Sequence, residues 1–66
     1  MERMSKRVAL HMKADMPTIE GLLVKRTRTD YVLIAAEIVQ DADRSHDLGG
    51  HVLVPRENVY CVQEIK

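Results

Sequence analysis

The chain has 66 residues, ten basic and ten acidic side chains, and no net charge at pH 7. That length holds one domain, and the balanced charge argues against strong non-specific nucleic-acid binding, which draws on an excess of Lys and Arg. Cys61 is the single cysteine, so no internal disulfide can form, and Cys61, His11, His46 and His51 lack the close paired spacing of a structural zinc site. A chain this small buries a modest fraction of its surface and commonly needs a staple or a partner. With disulfide and metal set aside, self-association is the staple that remains.

Met1 to Lys6 is polar and reads as a flexible N-terminus or a short helical turn, ahead of one domain over residues 7–66. No apolar segment precedes a small-residue cleavage site, so a cytoplasmic location is expected. From Arg7 to Lys13 the residues alternate: Val8, Leu10 and Met12 on one side, Arg7, Ala9, His11 and Lys13 on the other. Period two is the mark of a half-buried strand. A helix from Glu2 to Lys13, with Met4, Val8 and Met12 on one face, is the competing reading. Ala14-Asp15-Met16-Pro17 reads as a hairpin loop.

Thr18 to Arg28 reads as a second strand, with Ile19, Gly21, Leu23 and Lys25 on one face and Glu20, Leu22, Val24 and Arg26 on the other. Gly21 inside it predicts a bend or a bulge. The charged stretch Lys25 to Asp30 reads as a tight connection into the longest apolar run, Asp30 to Val39. That run is too short for a membrane, which takes about 20 apolar residues. It is expected to be a central strand buried on both faces; Ala35 and Ala36 make a short buried helix the alternative. Gln40 to Gly50 is polar and reads as the one long loop, ended by Gly49-Gly50. His51 to Pro55 returns to strand character, Pro55-Arg56-Glu57-Asn58 is a compact turn, and Val59 to Ile65 is the last strand.

Five short strands joined mostly by tight turns are antiparallel, and in so few residues they close best as a small barrel. The layout resembles the Sm-like branch of the small SH3-like barrels. The resemblance rests on Gly21-Leu22-Leu23 leading to Asp30-Tyr31-Val32-Leu33-Ile34-Ala35-Ala36-Glu37, and on Val52-Leu53-Val54, Pro55-Arg56-Glu57-Asn58 and Val59-Tyr60-Cys61-Val62. It implies an all-β, five-stranded antiparallel barrel and assembly into rings by strand-to-strand pairing. It departs from the family where RNA is bound. Asp30 stands where the family has a base-contacting Asn, Pro55 where it has Arg, and Arg56 where it has Gly. A carboxylate at Asp30 disfavours a phosphate-rich ligand.

Lys25, Arg26, Arg28 and Arg56 are the candidate nucleic-acid contacts, with a solvated hairpin end as the plainer reading of the first three. Single-strand binders add aromatic stacking platforms, and here Tyr31 and Tyr60 are the only aromatics. Val52, Val54, Val59, Cys61 and Val62, in the last two strands, are the candidate oligomer interface. Asp41, Asp43 and Asp47 lack the glycine and closing glutamate of a calcium loop. His46 and His51 have no further ligands beside them. Cys61 with His51 is the only conceivable nucleophile–base pair, but a thiol in an apolar strand is usually packing. No catalytic, metal or cofactor role is therefore expected.

The leading expectation is a non-enzymatic barrel that self-associates or sits within a larger particle. By analogy with other tiny barrels this includes a bacteriophage structural or accessory particle, in host cytoplasm or virion. The alternatives are an Sm-like RNA-binding ring and a regulatory adaptor that grips one host protein through a strand edge.

Overall fold

The computed structural model describes residues 6–41 and 43–65. Among them six strands form one antiparallel sheet: β1 (Lys6–Met12), β2 (Thr18–Arg26), β3 (Asp30–Asp41), β4 (Arg44–Leu48), β5 (Val52–Pro55) and β6 (Val59–Glu64). A 3-10 turn, Arg56–Asn58, precedes β6. The order across the sheet is β4-β3-β2-β1-β6. Because β3 is twelve residues long, it pairs with β5 through Asp30 to Leu33 and with β4 from Ala36 to Asp41, while β2 holds its other edge.

The all-β expectation holds, with three corrections. Among the described residues the sheet has six strands and is open, since β6 pairs with β1 alone and β5 with β3 alone; it is not a closed five-stranded barrel. The polar stretch expected as a loop contains β4, paired to β3 from Ala36↔Leu48 to Asp41↔Arg44. Its side chains from Arg44 to Asp47 are all exposed, so no apolar alternation marks it. The central strand is half-buried: Leu33 and Ala36 are buried, but Ala35 is exposed. A single curled sheet has only one inside, and among the described residues no second layer of strands or helices covers the other face, where Ala9 of β1, expected there beside Arg7 and His11, is nonetheless buried. The N-terminal helical turn falls outside the described residues, apart from Lys6, which opens β1 opposite Leu23.

Gly21 is where the sheet bends. Glu20 pairs with Glu37 and Leu22 with Ile34, so Ala35 and Ala36 together face Gly21 alone. This is a β-bulge whose first residue, Ala35, takes the left-handed backbone conformation (φ 50°) that glycine usually fills. A Cβ on Gly21 would stand 3.0 Å from Cα and Cβ of Ala36 and 3.1 Å from the Ile34 carbonyl oxygen. A second bulge leaves Val24 without an opposite number between Leu23↔Leu33 and Lys25↔Val32, and restores the register. The bulges bend both strands and raise the local twist. The curled sheet then wraps a core of Val8, Leu10, Leu23, Leu33, Ala36 and Val54, against which Met12, Ile19, Tyr31, Leu48, Val52 and Val59 pack.

Gly21→Ala is expected to cost about 1–3 kcal/mol, because backbone must move to admit the methyl group. Ala35→Gly relieves the left-handed strain and is expected to gain about 0.5–1 kcal/mol after the added entropy of the unfolded chain. Urea midpoints at constant m-value test both, and a Gly21→Ala variant as stable as the parent would overturn the close-approach argument.

Candidate functional site

Two features carry recognisable chemistry: the β2–β3 connection and the free edges of the sheet. The connection is built on Thr27. Its N–H donates to the Asp30 carbonyl (2.9 Å). Its hydroxyl accepts from the Asp30 N–H (2.9 Å) and the Thr29 N–H (3.3 Å), and donates to the Asp30 carbonyl (3.2 Å). Such hydroxyl–backbone bonds let Ser and Thr stand in for a backbone turn. Asp30 itself is occupied within the turn, accepting at Oδ2 from the Thr29 hydroxyl (2.8 Å).

The 3-10 turn is tied to this connection. The Arg56 N–H donates to the Thr29 carbonyl (2.9 Å), and Arg56 Nη1 donates to the Thr27 carbonyl (3.1 Å). The Arg56 guanidinium carbon lies 5.4 Å from the centre of the Tyr31 ring, within cation–π range. Arg28, Thr29, Arg56 and Glu57 line a hollow of about 250 Å³ beside it. The structure thus brings Arg28 and Arg56 of the four candidate basic residues to one place. Lys25 and Arg26 are exposed at the end of β2, and Arg26 lines a different hollow, with Lys6, Val8, Leu23, Val62 and Glu64. The link between Arg56 and Tyr31 joins residues 25 apart in the chain and has no local sequence signal.

The candidate interface residues divide by burial. Val54 is buried in the core, and Val52 and Val59 pack against it. Cys61 and Val62 are exposed. Cys61 sits opposite His11 across the β1–β6 ladder, while His51 precedes β5, on the other side of the sheet. The imidazole N–H at His11 Nε2 donates to Gln63 Oε1 (2.8 Å).

Asp43 and Asp41 meet through a backbone-to-side-chain bond, the Asp43 N–H donating to Asp41 Oδ1 (2.9 Å), which shapes the β3–β4 reversal. Asp47 is elsewhere: it faces Glu37, which faces Glu20. Three carboxylates therefore lie in a row across β2, β3 and β4. Among the described residues no group of three or more His, Cys, Asp or Glu side chains is arranged to hold a metal ion, and no helix is long and apolar enough to cross a membrane. Comparison with protein families, with characterised proteins and with solved structures finds no match to this chain.

Thr27→Val removes the hydroxyl bonds and is expected to destabilise by about 1–2 kcal/mol, with Thr27→Ser restoring most of the loss. An unchanged thermal midpoint would show that the turn is set by other residues. Glu37→Lys turns two like-charge pairs into opposite-charge pairs. It is expected to stabilise by about 0.5–1 kcal/mol at low ionic strength, and the gain should shrink at high salt.

Proposed function

We propose that this chain is a non-enzymatic assembly module: a small curled sheet of the Sm-like, SH3-like kind that works by joining its free strand edges to another chain. The partner is a second copy or a component of a larger particle. One observation carries the reading. Among the described residues the sheet ends on both sides in strands whose outer edges are unpaired, β6 beyond β1 and β4 with β5 beyond β3. A free edge is a row of unpaired N–H and C=O groups and a template for a further strand. The strand order, the bulged β2 and β3, and the 3-10 turn ahead of the last strand also support the small-barrel kinship. The interior supports a binding role over a catalytic one, because the core is filled by aliphatic side chains such as Val8, Leu10, Leu33 and Val54.

RNA binding is the second reading, favoured by the placement of Arg28 and Arg56 in one hollow. Against it stand Glu57 in the same hollow, the Asp30 carboxylate within the turn, and the engagement of Arg56 by Tyr31 and Thr27. An adaptor that grips one protein would use the same free edges.

Light scattering at micromolar concentration is expected to give a mass of two or more chains, unchanged by short uridine- or adenine-rich RNA. A mass of one chain would remove self-assembly. A pull-down with a single dominant partner would then favour the adaptor, and RNA binding that weakens with rising salt and is lost in Arg56→Gln would favour the RNA reading.

A further inference from the structure

The hydrogen-bond pattern of the outer strands determines which edge is available and to what. The Ile65 N–H donates to the Arg7 carbonyl (2.8 Å), and the β1–β6 register runs without a break from Val8↔Glu64 to His11↔Cys61. Bonded and non-bonded pairs alternate along an antiparallel ladder. Gln63 and Cys61 therefore turn their peptide groups toward β1, and Glu64 and Val62 turn theirs outward. On β5 the Arg56 N–H donates to the Thr29 carbonyl (2.9 Å), with the register continuing from Asp30↔Pro55 to Leu33↔Val52. The outward residues there are Pro55, which has no N–H to offer, and Leu53.

The side chains of these outward residues lie on opposite faces. Val62 is the partner of Leu10 and Glu64 the partner of Val8, so both stand on the concave face that holds the core. Leu53 is the neighbour of buried Val54 and is 60% exposed, on the convex face. Residues that bond as a pair across an antiparallel ladder share one face of the sheet. Joining β6 to β5 of another copy antiparallel would run the concave face of one onto the convex face of the next. Joining β6 to β6 keeps concave with concave.

Edge chemistry favours the second arrangement. β4 displays Arg44, His46 and Asp47, and charge on an edge opposes strand addition; β5 is blunted by Pro55. By contrast, β6 reads Val-Tyr-Cys-Val-Gln-Glu, exposed from Tyr60 to Glu64, with one charge at its end. Val62 is 40% exposed and Tyr60 77%. Beside Val62 the concave face opens into a hollow of about 170 Å³ floored by Val8 and Leu23 and rimmed by Lys6, Arg26 and Glu64. The rim is partly neutralised by the ion pair of Lys6 Nζ with Glu64 Oε2 (2.9 Å).

We infer that β6 pairs antiparallel with β6 of a second copy about a two-fold axis through Val62, giving a closed dimer with one continuous sheet. The inference rests on the assembly reading and specifies its partner and register. Val62 meets Val62 of the second copy beside the hollow floored by Val8 and Leu23, and each Glu64 falls level with Tyr60. The two carboxylates are thereby kept at opposite ends of the seam. A register that set Val62 against Glu64 would instead place a charge against the apolar contact and bring the two carboxylates closer. The symmetry is self-limiting, because each chain has one β6.

The test is a cysteine placed on the axis. In a Cys61→Ser background, Val62→Cys puts two thiols on a bonded pair, where Cα atoms stand about 5.5 Å apart, inside the range a disulfide spans. Under mild oxidation this variant is expected to run as a covalent dimer on non-reducing gels with no larger species, while Leu53→Cys in the same background stays single. Val62→Lys is expected to reduce the solution mass to one chain with an unchanged circular-dichroism spectrum. Suppose the parent assembles, Val62→Cys does not cross-link, and the Val62→Cys/Leu53→Cys double variant gives a ladder of multimers. That result overturns the two-fold seam and leaves assembly through β5 and β6 standing. A one-chain mass for the parent overturns both.

Discussion

The near-contact of Gly21 with Ala36 is the constraint on which the rest of the molecule depends. One sheet can enclose a core only by curling, and it curls only if its central strands approach closely at the bend. Here the approach leaves no room for a Cβ on β2. On β3 the bulge uses two of the smallest side chains, one of them in a backbone conformation that costs an alanine on the order of 1 kcal/mol or more. The chain accepts that local cost because the bend brings Val8, Leu10 and Leu23 of β1 and β2 to the same side as Leu33 and Val54.

A one-sheet core has a second consequence. The bend can bury one face of the sheet, but it does not remove the edges, and the two edges are treated differently. Along β4 and β5 the chain places charge, histidine and proline, the usual devices against unwanted pairing. β6 has a bulge at Tyr60, between the pairs His11↔Cys61 and Met12↔Val59, and a terminal ion pair, but between them its residues are apolar or uncharged. In a chain of 66 residues without a disulfide, the surface least protected against another strand is also the surface from which a small domain has most to gain.

The parts of this fold legible in the sequence are those where side-chain period and burial coincide. β1 and β2 were readable almost to their ends from apolar residues at alternate positions, although Ala9 is buried between Val8 and Leu10 and the bulge at Val24 brings Arg26 to the side of Leu23; Gly21 announced its bulge; β5, the turn and β6 follow the expected order. β4 was not legible because backbone pairing holds it while all four leading side chains meet water, and polarity without alternation reads as loop. The central run misled in the other direction: a nearly continuous apolar stretch suggests cover on both faces, yet Ile34, Ile38 and Val39 are only partly buried. Of the candidate site, the sequence identified the basic residues but could not group them. Arg28 and Arg56 meet only because the 3-10 turn docks on the β2–β3 connection.

That docking also bears on what the basic residues can do. A guanidinium that stacks on Tyr31 and bonds the Thr27 carbonyl is fixed in direction, and one of the chain's two aromatic rings is taken up in fixing it. Tyr60, the other ring, lies on β6, across the sheet from β3 and its neighbours. A nucleic-acid strand would find positive charge and an open ring in different places, whereas a protein strand needs neither. It needs unpaired peptide groups next to a small recess with apolar side chains in its floor, and β6 has both: outward-facing groups at Val62 and Glu64, and the recess floored by Val8 and Leu23 and rimmed by Lys6, Arg26 and Glu64. On the proposed assembly reading, the backbone of the last strand, more than any polar side chain, is therefore the part that meets a partner.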